Sequence, residues 1–523
     1  MLRKDLLNLT DGILINLEIQ MKTKEAIQTM VDNEINKVTE IEPPVETKSS
    51  IKLNMLLNAV KGLMSILFPL ITFPYISRIL GVNNLGKYNF ANSIINYYVL
   101  LAGLGIATYA IREGSRIRTK KDEFNAFADQ MFSINIISTI LAYLFLIALI
   151  VIIQKFKDYQ LLLTILSFQI IFKTIGIEWV YSIYEEYAYI TIRSIIFQFV
   201  SIILMFILIK NDTDLNIYAV ITVIAGAGSN IINYFHAKKY CKVKFTENID
   251  WNKHLKPIMT LFAMTVTTTV YVSSDTTILG FLCTDYEVGI YSVSVKIYTI
   301  VKTILSSVLI VSIPRLSAML GNNDYIGFRS VAEEIYKILI TVLLPFVIGI
   351  IMLRNEVILI ISSKEYVEAV TSMVFLSIAL LFSLGAWFWG QCILIPIKKE
   401  NVVFKVTVLS AMLNLVLNFF LIPTWKENGA AFTTILAEGM AFFLCLIEGK
   451  KSINLFGVNK IILKALIGCA GIIVVAILLR IPQLGMLNYT ILTIIFSAIV
   501  YFIIEILIKN EVLIELLVSV LKK

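Results

Sequence analysis

Of the 523 residues, 58% are hydrophobic and only 16% are charged, where soluble domains carry about a quarter charged residues, and the mean hydropathy is +0.82. This composition excludes a soluble multidomain protein and predicts an all-α, polytopic membrane protein. In a soluble domain the net charge of +8 would raise nucleic acid as a partner. Here the basic residues gather in alternate short loops, the pattern by which membrane proteins set their orientation, so nucleic acid is excluded.

Residues 1–50 are polar and of mixed charge, with Pro43-Pro44 near their end, and read as a cytoplasmic N-terminal extension. No basic start leads into an apolar core and a small-residue cleavage site, so the stretch is not a secretory signal. Leu6, Leu7, Leu9, Ile13, Leu14 and Leu17 supply one face for an interfacial helix. A disordered segment is the equal alternative.

From Leu53 onward, apolar runs of about 20 residues, the length that crosses a hydrocarbon core, alternate with short polar breaks. They predict fourteen spans, at 53–79, 88–111, 126–153, 160–180, 191–210, 216–235, 256–280, 288–313, 332–353, 368–396, 402–422, 428–447, 461–479 and 488–508. One set of loops is rich in cations: Arg112, Arg116, Arg118, Lys120 and Lys121, then Lys238 to Lys256, Arg315 and Arg329, Lys398 and Lys399, and Lys450 to Lys460. The opposite set has far fewer, so the rich set is cytoplasmic and both termini are cytoplasmic. No loop exceeds roughly 25 residues, which leaves no extramembrane domain to house a catalytic apparatus, and the protein is not expected to be an enzyme.

The stretch Pro74-Tyr75-Ile76-Ser77-Arg78-Ile79-Leu80-Gly81, with Gly86 and Tyr88 after it, has a counterpart at Ile278-Leu279-Gly280 followed by Gly289-Ile290-Tyr291. Gly86 and Gly289, Tyr88 and Tyr291, and Arg112 and Arg315 each stand 203 residues apart. The common offset predicts a parallel duplication about an axis along the membrane normal. Two six-helix lobes, 51–250 and 251–450, would face each other across a central cavity, with two additional helices and a cytoplasmic tail in 451–523.

Ionisable side chains within a bilayer are costly, about 2.5–3.5 kcal/mol at a helix centre, and each needs a partner or a wet cavity. Asp275 lies about 8 Å from one end of its span and Lys296 about 12 Å from the same end of the next, at 1.5 Å per residue. These two are expected to meet, as a plain ion pair or as a cation-sensitive pair broken during transport. Lys302 and Lys61 lie in the inner half on spans of opposite lobes. Facing a common cavity they would make it cationic and suited to a phosphate, although Lys61 could instead snorkel to the interface. Arg78, beside Gly81, is read as an interfacial anchor or a gate, and Arg112 and Arg315 as topology signals or contacts for an anionic head group at the cytoplasmic mouth. Glu438, at the middle of its span, is placed to exchange a proton, with Lys173 its nearest first-lobe counterpart in depth. Glu178 reads as interfacial, and Asn414 and Asn418, four apart, share a helix face.

The absences are as informative. There is no Walker loop, and His236 and His254 lie in a basic loop. Five single cysteines show no metal-ligand spacing and read as packing residues. No nucleotide or metal cofactor is expected, and coupling to H+ or Na+ is the remaining source of drive.

The run Phe73 to Gly81, with Gly86, Tyr88, Leu104-Gly105-Ile106 and Arg112, resembles the opening of bacterial polysaccharide repeat-unit flippases. These are the O-antigen and capsule flippases of the Wzx type, in the multidrug/oligosaccharidyl-lipid/polysaccharide exporter superfamily. Asp275, Leu279-Gly280, Val288-Gly289-Ile290-Tyr291, Lys296 and Pro314-Arg315-Leu316-Ser317 are similar to the start of their second lobe. The resemblance covers about 50–510; the polar extension before residue 50 departs from the family's compact start. It implies a bacterial cytoplasmic membrane protein that flips undecaprenyl-diphosphate-linked oligosaccharide outward by alternating access through a cationic cavity. On that reading Lys61, Arg78, Lys296 and Lys302 hold the diphosphate, Arg112 and Arg315 receive it, and Asp275, Glu438 and Lys173 couple or gate. Membrane lipids, a polysaccharide polymerase and assembly proteins are the expected partners. A peptidoglycan-precursor flippase and a cation-coupled drug antiporter, the latter expected to have an anionic cavity, are the alternatives on the same architecture. A membrane glycosyltransferase would need an external loop that the sequence does not provide.

Overall fold

The computed structural model describes residues 51–482 and 484–514. The expectations placed on 1–50 and on the tail from 515, and the side chain of Lys61, lie outside the described residues. Every regular element among the described residues is helical: α1 (Ile51–Gly103), α2 (Ile106–Ile117), α3 (Lys121–Ile152), α4 (Gln160–Gly176), α5 (Glu178–Ile183), α6 (Tyr187–Leu208), α7 (Leu215–Val223), α8 (Ser229–His236), α9 (Trp251–Leu282), α10 (Asp285–Gly321), α11 (Tyr325–Met352), α12 (Arg354–Ile361), α13 (Ala369–Trp387), α14 (Glu400–Lys450), α15 (Val458–Arg480) and α16 (Met486–Leu507), with π-helical turns at Ile224–Gly228 and Phe388–Leu394.

Among the described residues, 12 helices are long and apolar enough to cross a membrane, against the fourteen spans expected. The difference falls on two elements of 56 and 51 residues, Gly62–Ile117 and Glu400–Lys450, each of which the sequence reading divides in two. Both are interrupted. α1 leaves helical geometry at Gly81 (φ 71°, ψ 175°), where only glycine is free of strain. α14 does so at Lys426 (φ 50°, ψ −129°), shortly after Pro423, which removes a backbone donor from the ladder. α10 starts on a capping box, Thr284 with Glu287, which satisfies two orphan backbone donors; Glu287 is tied in turn to Lys426 Nζ at 2.8 Å.

Helix packing sorts into two groups. Within α1–α8, α4 lies on α7 and α8, and α2 on α3 and α5. Within α9–α16, α14 lies on α13 and α9, α10 on α13, and α15 on α11 and α16. Tyr501 of α16 donates to the Thr341 carbonyl of α11 at 2.7 Å, so the last pair is fastened to the second group. One apolar core holds Leu85 and Phe90 together with Leu279 and Ile290, residues of both groups, at what is called here the Gly81 end of the bundle. Nearer the opposite, Arg112 end, one core around Tyr109, Phe124 and Met131 takes in Ile258 of α9 as well, and another around Phe388 and Trp389 lies within the second group.

The repeated stretches cross each other in this shared core. A Cβ on Gly86 would stand 1.7 Å from the Asp285 carbonyl oxygen, and a Cβ on Gly289 would stand 2.1 Å from the Val82 carbonyl oxygen. Val82 and Asp285 are themselves 203 residues apart, so the contact is reciprocal, as a two-fold relation between the copies requires. No side chain fits at either glycine without moving a backbone.

Candidate functional site

At the Gly81 end the two groups are closed on each other by polar contacts as well as by the core. Arg78 extends from α1 to the last turn of α12, its Nε donating to the Ser362 carbonyl at 2.7 Å and its Nη2 to those of Ile360 at 2.7 Å and Leu359 at 3.4 Å. A helix C-terminus leaves such carbonyls without partners and carries a partial negative charge, which a guanidinium suits. Tyr366 donates to the Ser77 carbonyl at 3.1 Å, and Ser77 Oγ lies 3.3 Å from that of Ile361. On the other flank Lys155 reaches the carbonyls of Gly280 and Cys283, and Tyr159 donates to Asp285. Arg78, expected among the diphosphate ligands, is thus occupied by the carbonyls at the end of α12 in this conformation. Lys155 and Tyr159, which the sequence reading left in a loop, belong to the same closure.

Toward the Arg112 end a cavity of about 590 Å³ opens between the first group and α9. Its wall is mostly apolar, Trp179 included, and carries amides and hydroxyls at Asn96, Asn135, Thr265, Thr268 and Ser273. Lys173 lines it, exposed and without a hydrogen-bond or ion-pair partner among the described residues. Glu178 lines it too, held by Arg193 Nη2 at 3.0 Å. Arg193 is only 6% exposed, with Nε and Nη1 unpaired. Sequence reasoning missed it, because an arginine beside a predicted span boundary reads as an interfacial anchor. Arg112 is exposed and bonded to Glu113 at 2.8 Å; Arg315 is exposed and has no ion-pair partner among the described residues.

The pairings expected by depth are not those that form. Lys296 does not meet Asp275. It crosses to the first group, where its ammonium lies 5.5 Å from the Phe73 ring centroid and lines a second cavity, of about 280 Å³, with Tyr88, Asn89, Asn92, Gln198 and Thr222. The reason is azimuth. At 100° per residue Lys296 points about 140–160° round α10 from Tyr291 and Tyr298, which face the interior of the second group, whereas Lys302 falls within about 40° of Tyr298. Asp275, 8% exposed, instead accepts from Asn418 at 2.6 Å, Thr434 at 2.8 Å and Tyr291 at 3.0 Å. Asn414 continues the network, accepting from Ser274 at 3.0 Å and Asn418 at 3.1 Å. Glu438 pairs not with Lys173 but with Lys302, at 3.2 Å, the same oxygen accepting from Ser383 at 2.8 Å and Tyr298 at 3.0 Å. Lys302 is therefore a partnered cation, 31% exposed, beside a carboxylate that is 6% exposed.

The histidines are packing elements: His254 is buried with Nδ1 2.8 Å from Tyr109 Oη, and His236 stacks on Tyr189 at 4.0 Å between centroids. Among the described residues no three His, Cys, Asp or Glu side chains gather as a metal site.

A membrane-crossing helical bundle, closed at one end by crossed repeats and hollow toward the other, has the architecture of a membrane transporter. By sequence the chain belongs to the polysaccharide biosynthesis protein family, whose model matches residues 51–320. A relative from Escherichia coli (strain K12), named "Putative O-antigen transporter", is 23% identical over 406 residues, 76% of this chain and 96% of its own length. The "Capsular polysaccharide biosynthesis protein CapF" of Staphylococcus aureus is 25% identical over 393 residues, 73% of this chain and 95% of its own. Among solved structures, the lipid II flippase MurJ in an inward closed conformation superposes with a TM-score of 0.68 at 17% identity, over 88% of this chain and 99% of that one. An inward-facing multidrug resistance MATE family transporter gives 0.51 at 14% identity, over 80% and 97%.

Proposed function

We propose that this protein flips undecaprenyl-diphosphate-linked oligosaccharide repeat units from the cytoplasmic to the outer leaflet for surface polysaccharide assembly. The observation that carries the reading is the cavity of about 590 Å³ between the first group and α9, mostly apolar but carrying the amides of Asn96 and Asn135, the hydroxyls of Thr265, Thr268 and Ser273, and Lys173, which has no partner among the described residues. The amides and hydroxyls on that wall suit a sugar head group, and an ammonium suits its diphosphate. The family of the chain and the names of its two relatives support the same cargo. Loop charge makes the Arg112 end cytoplasmic, so the cavity would load from inside while the Gly81 end is shut. Arg112 and Arg315 would meet the head group at the mouth, and Lys302 and Lys296 would engage the diphosphate as the groups rock. A cation gradient acting at Asp275 would drive the return.

The likeness to MurJ favours a second reading, a flippase for the peptidoglycan precursor. Depleting the protein and analysing lipid-linked sugars separates the two. Accumulated undecaprenyl-diphosphate oligosaccharide on the cytoplasmic leaflet, with surface polymer lost and peptidoglycan intact, is expected. Accumulated peptidoglycan precursor would transfer the assignment to the second reading, and accumulation of neither would remove both.

A further inference from the structure

The carboxyls of Asp275 and Glu438 belong to one polar column inside the second group. Thr434 and Glu438 are one turn apart on α14, Tyr291 and Tyr298 two turns apart on α10, and Tyr271 and Asp275 one turn apart on α9, so each helix shows one face to the column. Around Asp275 stand Tyr291, Asn418 and Thr434; around Glu438 stand Tyr298, Lys302 and Ser383. The cation of the column is Lys302, since Lys296 leaves α10 on the opposite side. From the first group the Tyr97 phenol comes into electrostatic range of Asp275.

Tyr271 fits neither cluster alone. Its hydroxyl is buried without a well-aligned partner, and Glu438 is the carboxyl within its hydrogen-bonding reach. Its titratable neighbours are Glu438, Tyr298 and Asp275. The bonds to Ser383, Tyr298 and Lys302 all fall on Oε1 of Glu438, which leaves Oε2 as the acceptor on offer.

We propose that Tyr271 is the link of a proton relay from Asp275 to Glu438. A proton held by the Asp275 carboxyl passes to the Tyr271 oxygen as the Tyr271 hydroxyl proton passes to Glu438 Oε2. Asp275 is left a carboxylate, Tyr271 a neutral phenol and Glu438 a neutral acid, so proton and charge balance. The consequence falls on Lys302, whose ammonium loses its counter-ion and becomes free for an anionic group. This last step rests on the flippase reading; the relay does not.

The relay is tested on the purified full-length protein in sealed proteoliposomes, by mass spectrometry after an external acid step. The probe is dicyclohexylcarbodiimide, an apolar reagent that modifies neutral carboxyls. Tyr271→Phe removes only the oxygen and is expected to slow modification of Glu438 about a hundredfold or more, the scale of a positioned proton-transfer group, while Asp275 is modified at the wild-type rate. Asp275→Asn is expected to slow Glu438 by a similar factor. Modification of Glu438 at the wild-type rate in Tyr271→Phe would overturn the relay, whatever Asp275→Asn does. A thermal melt of Tyr271→Phe matching the wild type shows that packing is unchanged. Because the labelling needs no cargo, it stands even if the protein carries a different lipid.

Discussion

Lys302 and Glu438 illustrate how much depends on one partner inside a membrane. Removing either member of a buried pair leaves the other's charge uncompensated, which costs about 3–5 kcal/mol; Lys302, 31% exposed, sets the expectation near the lower figure. Lys302→Ala and Glu438→Gln should each lower the melting temperature in detergent, and the double variant should recover part of the loss. Additive losses would show that the pair contributes nothing beyond its separate residues. Cys241, outside the spans, is 3% exposed, and burial first, then the Asp129 charge, pushes its thiol up to about 12. It should resist a water-soluble maleimide at neutral pH and react once the protein is unfolded; rapid native labelling would contradict the burial. The other misplacements of the sequence reading are also residue-scale. Hydropathy gives depth along a helix but not the direction a side chain faces until the helix phase is known, and so Lys296 was matched with Asp275 by depth alone.

Elements were far more legible than pairings, because span length and loop charge are properties of the chain while contacts are properties of the fold. The repeated glycines were visible as a spacing, and their use became visible only when Gly86 and Gly289 were seen to place backbone against backbone. Gly289→Ala should therefore do more harm than an alanine in an ordinary helix. Forcing a methyl into a close-packed crossing costs about 1–3 kcal/mol, measurable as a lower melting temperature together with reduced surface polymer. Gly439, with nothing within 4 Å of its Cβ position, is the control, where alanine should be neutral or mildly stabilising. Equal effects at both positions would mean that the crossing is looser than described.

For the whole molecule, the closed Gly81 end makes a strong statement about the cycle. If the Arg78 and Ser77 contacts with Ser362 and Ile361 must part once per turnover, a covalent bond there should stop it. Ser77→Cys with Ile361→Cys is expected to cross-link on oxidation and abolish surface polymer, and reductant should restore it. Full activity of the cross-linked protein would remove that end from the moving parts. Arg78 has a second consequence at this scale: on opening, the α12 carbonyls it caps need new partners, which water entering from that side supplies.

The reciprocal crossing also constrains the gene. Val82 faces Gly289 and Asp285 faces Gly86, so each of the two repeated stretches is shaped by the other at this point. The same offset links different residues elsewhere, as at Thr72 and Asp275. A mutation that thickens either helix at the crossing therefore presses on backbone about 200 residues away in the chain.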